Sequence, residues 1–339
     1  MYPDLYPRIQ KRLEQKRHTI TEFLETAPDA EKEICLCGDE TEVQTHLDVI
    51  EASLEKIEDQ TLGLCTVCHG YIESGRLEMD YTASVCLDHY SPEEMRRLEA
   101  ELELSQVVQR ALLPQRIPEI RGVDLAAFSR PSEIIGGDYF DFFQFRDGMP
   151  GLVIADVSGH GVSAGMLMSS LQTALRTIAP ETDSPAEIVE RINRFYIHNI
   201  NFTTFVTVFL ARFDPASRSL EYVNAGHNPP AWLSRHYNET RWLKPTIAAV
   251  GLLEDFHPQA HSMTLSAGDV LLFYTDGVTE AQNPLNEQFG QHRLSGLIQN
   301  NKDLSASDLI QVVRQGLNAF GENKRLEDDA TLIALKYSG

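Results

Sequence analysis

Aspartates beside glycines, at the ends of apolar runs, are the first chemistry visible in this chain. Asp138 sits in Gly136-Gly-Asp-Tyr139 at the entry to an alternating run, Phe140 to Phe145, and Asp156 closes the buried run Leu152 to Ala155. Asp276 follows Val270-Leu-Leu-Phe-Tyr274, while Asp328 and Asp329 immediately precede Ala330-Thr-Leu-Ile-Ala-Leu335. In such places rigid main chain fixes the carboxylate, and glycine lets a ligand come close. Carboxylates converging from several strand ends in a low-dielectric cleft repel one another by on the order of a few kcal/mol. A pair of divalent cations relieves that repulsion, and an all-oxygen ligand set suits Mn2+ or Mg2+ better than zinc. Two such ions can activate water and clamp a phosphoryl oxygen for in-line attack. Nothing in this half competes as a nucleophile: no cysteine follows Cys86, and neither a G-x-S-x-G elbow nor a phosphate-binding P-loop occurs. Ser158 and His160 are too close in sequence for their side chains to meet as a catalytic pair.

A second metal chemistry lies upstream. Cys65, Cys68, Cys86 and His89 form a C-x2-C-x17-C-x2-H pattern, which matches a closed tetrahedral Zn2+ site. Gly63 and Gly70 flank the first pair, as a turn that aims amides at thiolate sulfur requires; His69, inside that turn, is an alternative ligand. Cys35 and Cys37 read as incidental thiols, with metal binding or redox activity as the alternatives. All five cysteines fall between Cys35 and Cys86, and this clustering marks a domain boundary.

Positioning these groups requires two kinds of architecture. Apolar residues at helical spacing predict amphipathic helices over 5–24 and 43–57, joined as an antiparallel hairpin. Ser91-Pro-Glu-Glu94 is a capping box that opens a linker helix over 92–113, ended by Pro114 and Pro118. Its apolar residues cover more than one stripe, which suits a helix that contacts the second domain and self-associates as a homodimer; a plain connector with one buried face is the alternative. Beyond it, strands are expected at 123–128, 139–145, 151–156, 205–213, 219–224, 230–234, 269–275 and 330–337, with helices at 164–179, 185–200, 292–299 and 305–319. Hairpin-like strands around paired helices predict an α+β sandwich of two largely antiparallel sheets with helices outside. The division expected is 1–90 for the hairpin and zinc module, 91–117 for the linker helix and 118–339 for the second domain.

The totals constrain partners. The chain has 339 residues, 42% hydrophobic and 23% charged, with a formal net charge of −21. That charge argues against nucleic-acid and anionic-membrane partners. No run of about 18 apolar residues offers a membrane span, and the N-terminus lacks a signal-like apolar core. A cytoplasmic protein is the expectation.

Two resemblances add to this. The helical hairpin followed by IEDQTLGLCTVCHGYIESGRLEMDYTASVCLDHY resembles the DksA/TraR type of zinc-finger protein over about residues 5–90, with His89 where that family usually has a fourth cysteine. The family's Asp-x-x-Asp-x-Ala tip, used on RNA polymerase, has no counterpart between Thr26 and Glu42. GGDYFDFF, IADVSGHGVSAG, YVNAGHNPP, LSAGDVLLFYTDGVTEAQN and DDATLIALK resemble the PPM (2C-type) Ser/Thr phosphatases over about residues 95–338. The match is to the bacterial SpoIIE/RsbU branch. That resemblance implies a binuclear Mn2+/Mg2+ phosphoprotein phosphatase acting on an anti-anti-sigma (STAS) protein. It implies that Asp156 bridges two ions, that Asp276 and Asp329 complete one of them, that the Val157 carbonyl serves the other, and that Asp138 acts through water. Asp329 is taken over Asp328 because it directly precedes the strand start. The arginine that grips phosphate in eukaryotic members has no direct equivalent; Arg130 is a candidate, eight residues before Asp138. The competing function is a non-catalytic regulatory protein that docks on RNA polymerase or another partner through the zinc hairpin.

Overall fold

A computed structural model describes residues 5–7, 9–11, 13–14, 17–18, 21, 40–79, 81–159, 161–199, 205–237, 239–322 and 328–339. The chain divides into two compact units, Met1–Glu99 and Ala100–Gly339.

In the first unit, helical residues between 6 and 21 present Leu5, Ile9 and Leu13 to Ile50, Leu54 and Ile57 of helix α1 (Glu40–Glu58). Leu62 and Leu77, the latter from the short helix α2 (Ser74–Met79), close that core. The expected turn between the two long helices, and with it Cys35 and Cys37, lies outside the described residues. A separate small core of Cys65, Ile72 and Cys86 underlies the cysteine group. Helix α3 (Pro92–Leu112) opens on the expected capping box. Glu94 N–H donates to Ser91 Oγ at 3.3 Å, and Ser91 N–H to the Glu94 carboxylate at 2.8 Å.

The second unit is a four-layer sandwich. One sheet has the order β1-β10-β9-β6-β7 and the other β2-β3-β4-β5-β8, and every paired neighbour within them is antiparallel. The strands are β1 (Val123–Arg130), β2 (Tyr139–Gln144), β3 (Pro150–Val157), β4 (Val206–Asp214), β5 (Ser219–Ala225), β6 (Ala231–Ser234), β7 (Glu239–Trp242), β8 (His261–Thr264), β9 (Val270–Tyr274) and β10 (Ala330–Tyr337). Alternation along each strand sends one face inward and one outward. Phe140, Phe142, Leu152, Ile154 and Phe209 meet Leu271, Phe273 and Ile333 between the sheets. The opposite face of the β2–β3–β4 sheet, including Tyr139, Val153 and Ala155, is covered by α4 (Gly161–Ile178) and α5 (Pro185–Asn199) through Met168, Leu171, Ile188 and Ile192. Leu272, Tyr274, Leu332 and Ala334 are covered by α7 (Gly290–Asn300) and α8 (Ala306–Phe320) through Leu294, Ile298, Leu309 and Val313. A strand buried on both faces reads as an unbroken apolar run, which is why Val270–Tyr274 shows no alternation in sequence.

The two strands that the sequence reading missed, β7 and β8, are four-residue pieces, Glu-Thr-Arg-Trp and His-Ser-Met-Thr, at the two sheet edges. Half-exposed edges carry no hydrophobic signature. Within the β2–α4 layer, Asp141 is fully buried. Arg176 Nε and Nη2 donate to its two oxygens at 2.7 and 2.6 Å, and Tyr139 Oη–H donates at 2.7 Å. This pair is a structural tie from α4 to β2 at some distance along the strand from Asp138.

Candidate metal-dependent active site

Register decides which acids meet. Tyr139 pairs with Ala155, so the residues just outside that pair, Asp138 and Asp156, lie opposite each other at one end of β2 and β3. In the other sheet Tyr274 pairs with Leu332. Continuing that register puts Asp276, the first residue of the one-turn helix α6 (Asp276–Thr279), opposite Ala330, next to Asp328 and Asp329. Both sheets thus deliver carboxylates to the same end of the sandwich.

Their electrostatics show the convergence. Burial first, then Asp156 and Asp329, hold the Asp138 carboxyl well above the usual carboxylate range. Burial, then Asp276, Asp328, Asp329 and Glu280, push Asp156 up to about 7. Burial, then Asp328 and Glu280, push Asp276 up to about 6. Among the described residues, the charges that weigh most on these three carboxyls are all acidic. A cluster of mutually repelling carboxylates, built from hard oxygen donors, fits Mn2+ or Mg2+. The Val157 carbonyl oxygen lies beside the chain just before Asp138, 2.9 Å from where a Cβ on Gly137 would sit. Glycine at 137 is what permits that approach.

The adjacent acids at the start of β10 separate. Asp328 is exposed and bears on Asp156 and Asp276. Asp329 is buried, and its carboxylate accepts from Ser132 N–H at 2.7 Å and Gly137 N–H at 2.6 Å. The sequence reading took Asp329 as the ligand and passed over Asp328. Glu280, Thr275 and Gln109 were also missed. Thr275 Oγ1–H donates to Asp138 Oδ2 at 2.7 Å. Gln109, on α3, both donates to Gly136 O at 2.7 Å and accepts from Gly136 N–H at 3.1 Å. Its polar residue on a mostly apolar helix face was the available signal. Arg130 ends β1 opposite Ala330 and lines a cavity of about 490 Å³ together with Asp138 and Asp329.

His227 does not enter the cleft. It is 1% exposed, its Nδ1 lies 2.8 Å from Thr207 Oγ1, and its backbone N–H donates to Asn224 Oδ1 at 2.9 Å. Its Nε2 has no hydrogen-bond partner. Burial pushes its pKa down to about 3, against about 6.5 for a free imidazole. The unfolded chain therefore takes up a proton below about pH 6.5 that the folded chain refuses, and stability falls as pH drops through that window. His227→Asn should show a shallower loss of stability than the parent between about pH 6 and 4, read by denaturant melts at each pH. Equal slopes would refute this reading.

In the first unit, Cys65, Cys68, Cys86 and His89 come together. Their donor atoms all lie within 4.8 Å of one another, and among the described residues no other group of three or more His, Cys, Asp or Glu is drawn so close. Cys65 Sγ accepts from Val67 N–H and Cys86 N–H, and Cys68 Sγ from Gly70 N–H, each at 3.4 Å. His69 has φ 57° and serves as the left-handed turn residue of this loop. The donor set and the amide-to-sulfur bonds fit Zn2+.

The family profile of Stage II sporulation protein E (SpoIIE) matches residues 146–338. The chain belongs to the SpoIIE family. By class it is a protein serine/threonine phosphatase. This SpoIIE-family chain is 28% identical over 242 residues to the phosphoserine phosphatase RsbU of Bacillus subtilis, covering 71% of each chain. Among solved structures, it superposes on the PP2C domain of SiaA from Pseudomonas aeruginosa with a TM-score of 0.64 at 19% identity, covering 72% of this chain and 98% of that one. It also superposes on the RsbU and RsbW domains of a Mycobacterium tuberculosis protein, with a TM-score of 0.57 at 28% identity, covering 67% and 63%. The SpoIIE match includes Asp156, Asp276, Asp328 and Asp329 and begins after Asp138. None of these alignments is to a DksA/TraR-type protein. Among the described residues no helix is long and apolar enough to cross a membrane.

Proposed function

We propose that the chain hydrolyses phosphoserine or phosphothreonine on a small protein partner of the STAS type, with two Mn2+ or Mg2+ ions held at the strand ends. The observation that carries this is the cluster of mutually repelling carboxylates assembled from both sheets, in a chain of the SpoIIE family. Asp156, Asp276 and Asp328 are the direct ligands together with the Val157 carbonyl, and Asp138 acts through water. Bound there, the ions supply Lewis-acid polarisation of the phosphoryl group and of the attacking water. Asp156 and Asp276 deliver negative charge from opposite sheets and fix the spacing. Asp138, held by Thr275, orients water on the β2 side. Arg130 is placed to meet phosphate oxygens. His227 is sealed from substrate and does not serve as the acid for the leaving serine; water would supply that proton.

The test is hydrolysis of a phosphorylated STAS protein by the full-length chain. Turnover should require added Mn2+ and cease in EDTA. Metal-independent turnover would overturn the reading.

The first unit is read as a DksA/TraR-like module with one structural Zn2+ on Cys65, Cys68, Cys86 and His89, and it regulates the phosphatase. Helix α3 exposes Leu104, Val107 and Val108 at 64%, 62% and 55%, which supports homodimerisation along it. Structural zinc contributes about 10–16 kcal/mol in small finger peptides, so its loss should undo the fold around it. Purified protein should hold one zinc per chain by mass spectrometry. Cys65→Ser should hold none and become sensitive to proteolysis between residues 60 and 90. Zinc content unchanged by that substitution would exclude the site.

A further inference from the structure

Asp329 is one of four acids at the metal end, yet its contacts differ from those of the others. It is 7% exposed. Oδ1 accepts from Ser132 N–H at 2.7 Å and from Ser132 Oγ–H at 3.1 Å, and Oδ2 accepts from Gly137 N–H at 2.6 Å. A carboxylate offers about four lone-pair sites, and these donors occupy most of them. The approach is close because residue 136 has no side chain: a Cβ there would lie 2.5 Å from Asp329 Oδ2. We infer that Asp329 is a positioning residue, a latch on the 131–138 connection, rather than a ligand.

The connection it grips is the crossing from β1, in one sheet, to β2, in the other. Asp138 is its last residue. Without a tie the crossing would set the position of Asp138 only through chain continuity. Asp329 fixes it from the start of β10, on the first sheet, through two backbone amides nearly two hundred residues away in sequence. Hydrogen bonds from amides to an ionised carboxylate are short and roughly twice as strong as neutral ones. The Asp138 side chain is held from the same sheet. Thr275 Oγ1–H donates to it, and Thr331 N–H donates to Thr275 Oγ1 at 2.9 Å. Backbone and carboxylate of Asp138 are thus both referenced to β9, which leads into Asp276, and β10, which follows Asp328. Neighbouring acids divide the work: Asp328 faces the cluster, and Asp329 locks the spacing between the sheets.

This inference rests on the two-metal reading, and the experiment keeps the two separable. Full-length parent, Asp329→Asn, Ser132→Ala and Asp156→Asn would be compared by amide hydrogen exchange of residues 131–138, Mn2+ titration calorimetry and steady-state kinetics. Asparagine keeps the shape but turns an NH2 group onto one amide donor. In the parent, the Ser132 and Gly137 amides should be slowly exchanging; rapid exchange there overturns the latch whatever the variants do. In Asp329→Asn their exchange should rise at least about tenfold. Mn2+ affinity should stay within about tenfold of the parent, while kcat falls about a hundredfold with KM little changed, as for a misplacement of about 1 Å. Ser132→Ala, which keeps the amide, should show the same effects at smaller amplitude. Loss of Mn2+ binding in Asp329→Asn equal to that in Asp156→Asn makes Asp329 a ligand and sinks the latch. Undiminished Mn2+ binding in Asp156→Asn instead sinks the metal reading, and the exchange data still decide the latch.

Discussion

Asp156→Asn should abolish Mn2+-dependent turnover, by at least about a thousandfold, the scale of removing one member of a cooperating catalytic set. The same substitution should leave the metal-free protein as stable as the parent, or more stable. Asp156 sits between Asp276, Asp328, Asp329 and Glu280, and burial together with those charges is what pushes it up to about 7. Removing its charge removes repulsion at the centre of the cluster. Added Mn2+ should raise the melting temperature of the parent, because an ion that binds only the folded state stabilises it by mass action. It should do little for the variant. Thermal melts with and without Mn2+, run beside the phosphatase assay, read both signs at once. Retained turnover would remove Asp156 from the mechanism, and a destabilised metal-free variant would contradict the electrostatic account.

Gly277→Ala is expected to be nearly as damaging although it changes no charge. A Cβ at 277 would stand 2.0 Å from the Asp329 carbonyl oxygen and 3.3 Å from the Asp328 carbonyl carbon. Both are backbone atoms, so no side-chain rotation can make room. Either α6 or the start of β10 must shift, and each carries an acid of the cluster. Overpacking of this kind costs about 1–3 kcal/mol, and displacement of ligands by about 1 Å costs about a hundredfold in rate. Denaturant melts and kcat/KM check the two parts. An alanine variant with parental stability and rate would mean that the close approach of α6 to β10 is not needed.

Some positions follow directly from where a buried strand stops. Asp156 and Asp276 each follow an apolar run, and the sheets put them at one end. Which of Asp328 and Asp329 is exposed and which is tied to residues 132–137 was not legible, because two adjacent acids before a strand differ only in which side of the chain they face. That depends on the register of β10 against β9 and on a contact with residues 132–137. The sandwich itself was readable, since eight of its strands carry apolar runs; β7 and β8 were not, being short polar edges. The cysteine spacing pointed to a cluster, and Cys65, Cys68, Cys86 and His89 do converge. Regulation is a difference between two states, and no spacing of ligands encodes it.

The pairing of β1 with β10, Val123 against Tyr337 through Arg130 against Ala330, has a consequence for biosynthesis. The first strand of the catalytic unit waits for its neighbour until nearly all of that unit has been made. Contacts between such distant residues form late and slowly, because a long loop must close before anything is gained. During synthesis β1 must remain without its partner, and Asp138 and Asp156, brought together by the local pairing of β2 with β3, wait for β10 to fix Asp328 and Asp329 beside them. A truncated product ending before Ala330 would be inert toward phosphoproteins rather than weakly or indiscriminately active.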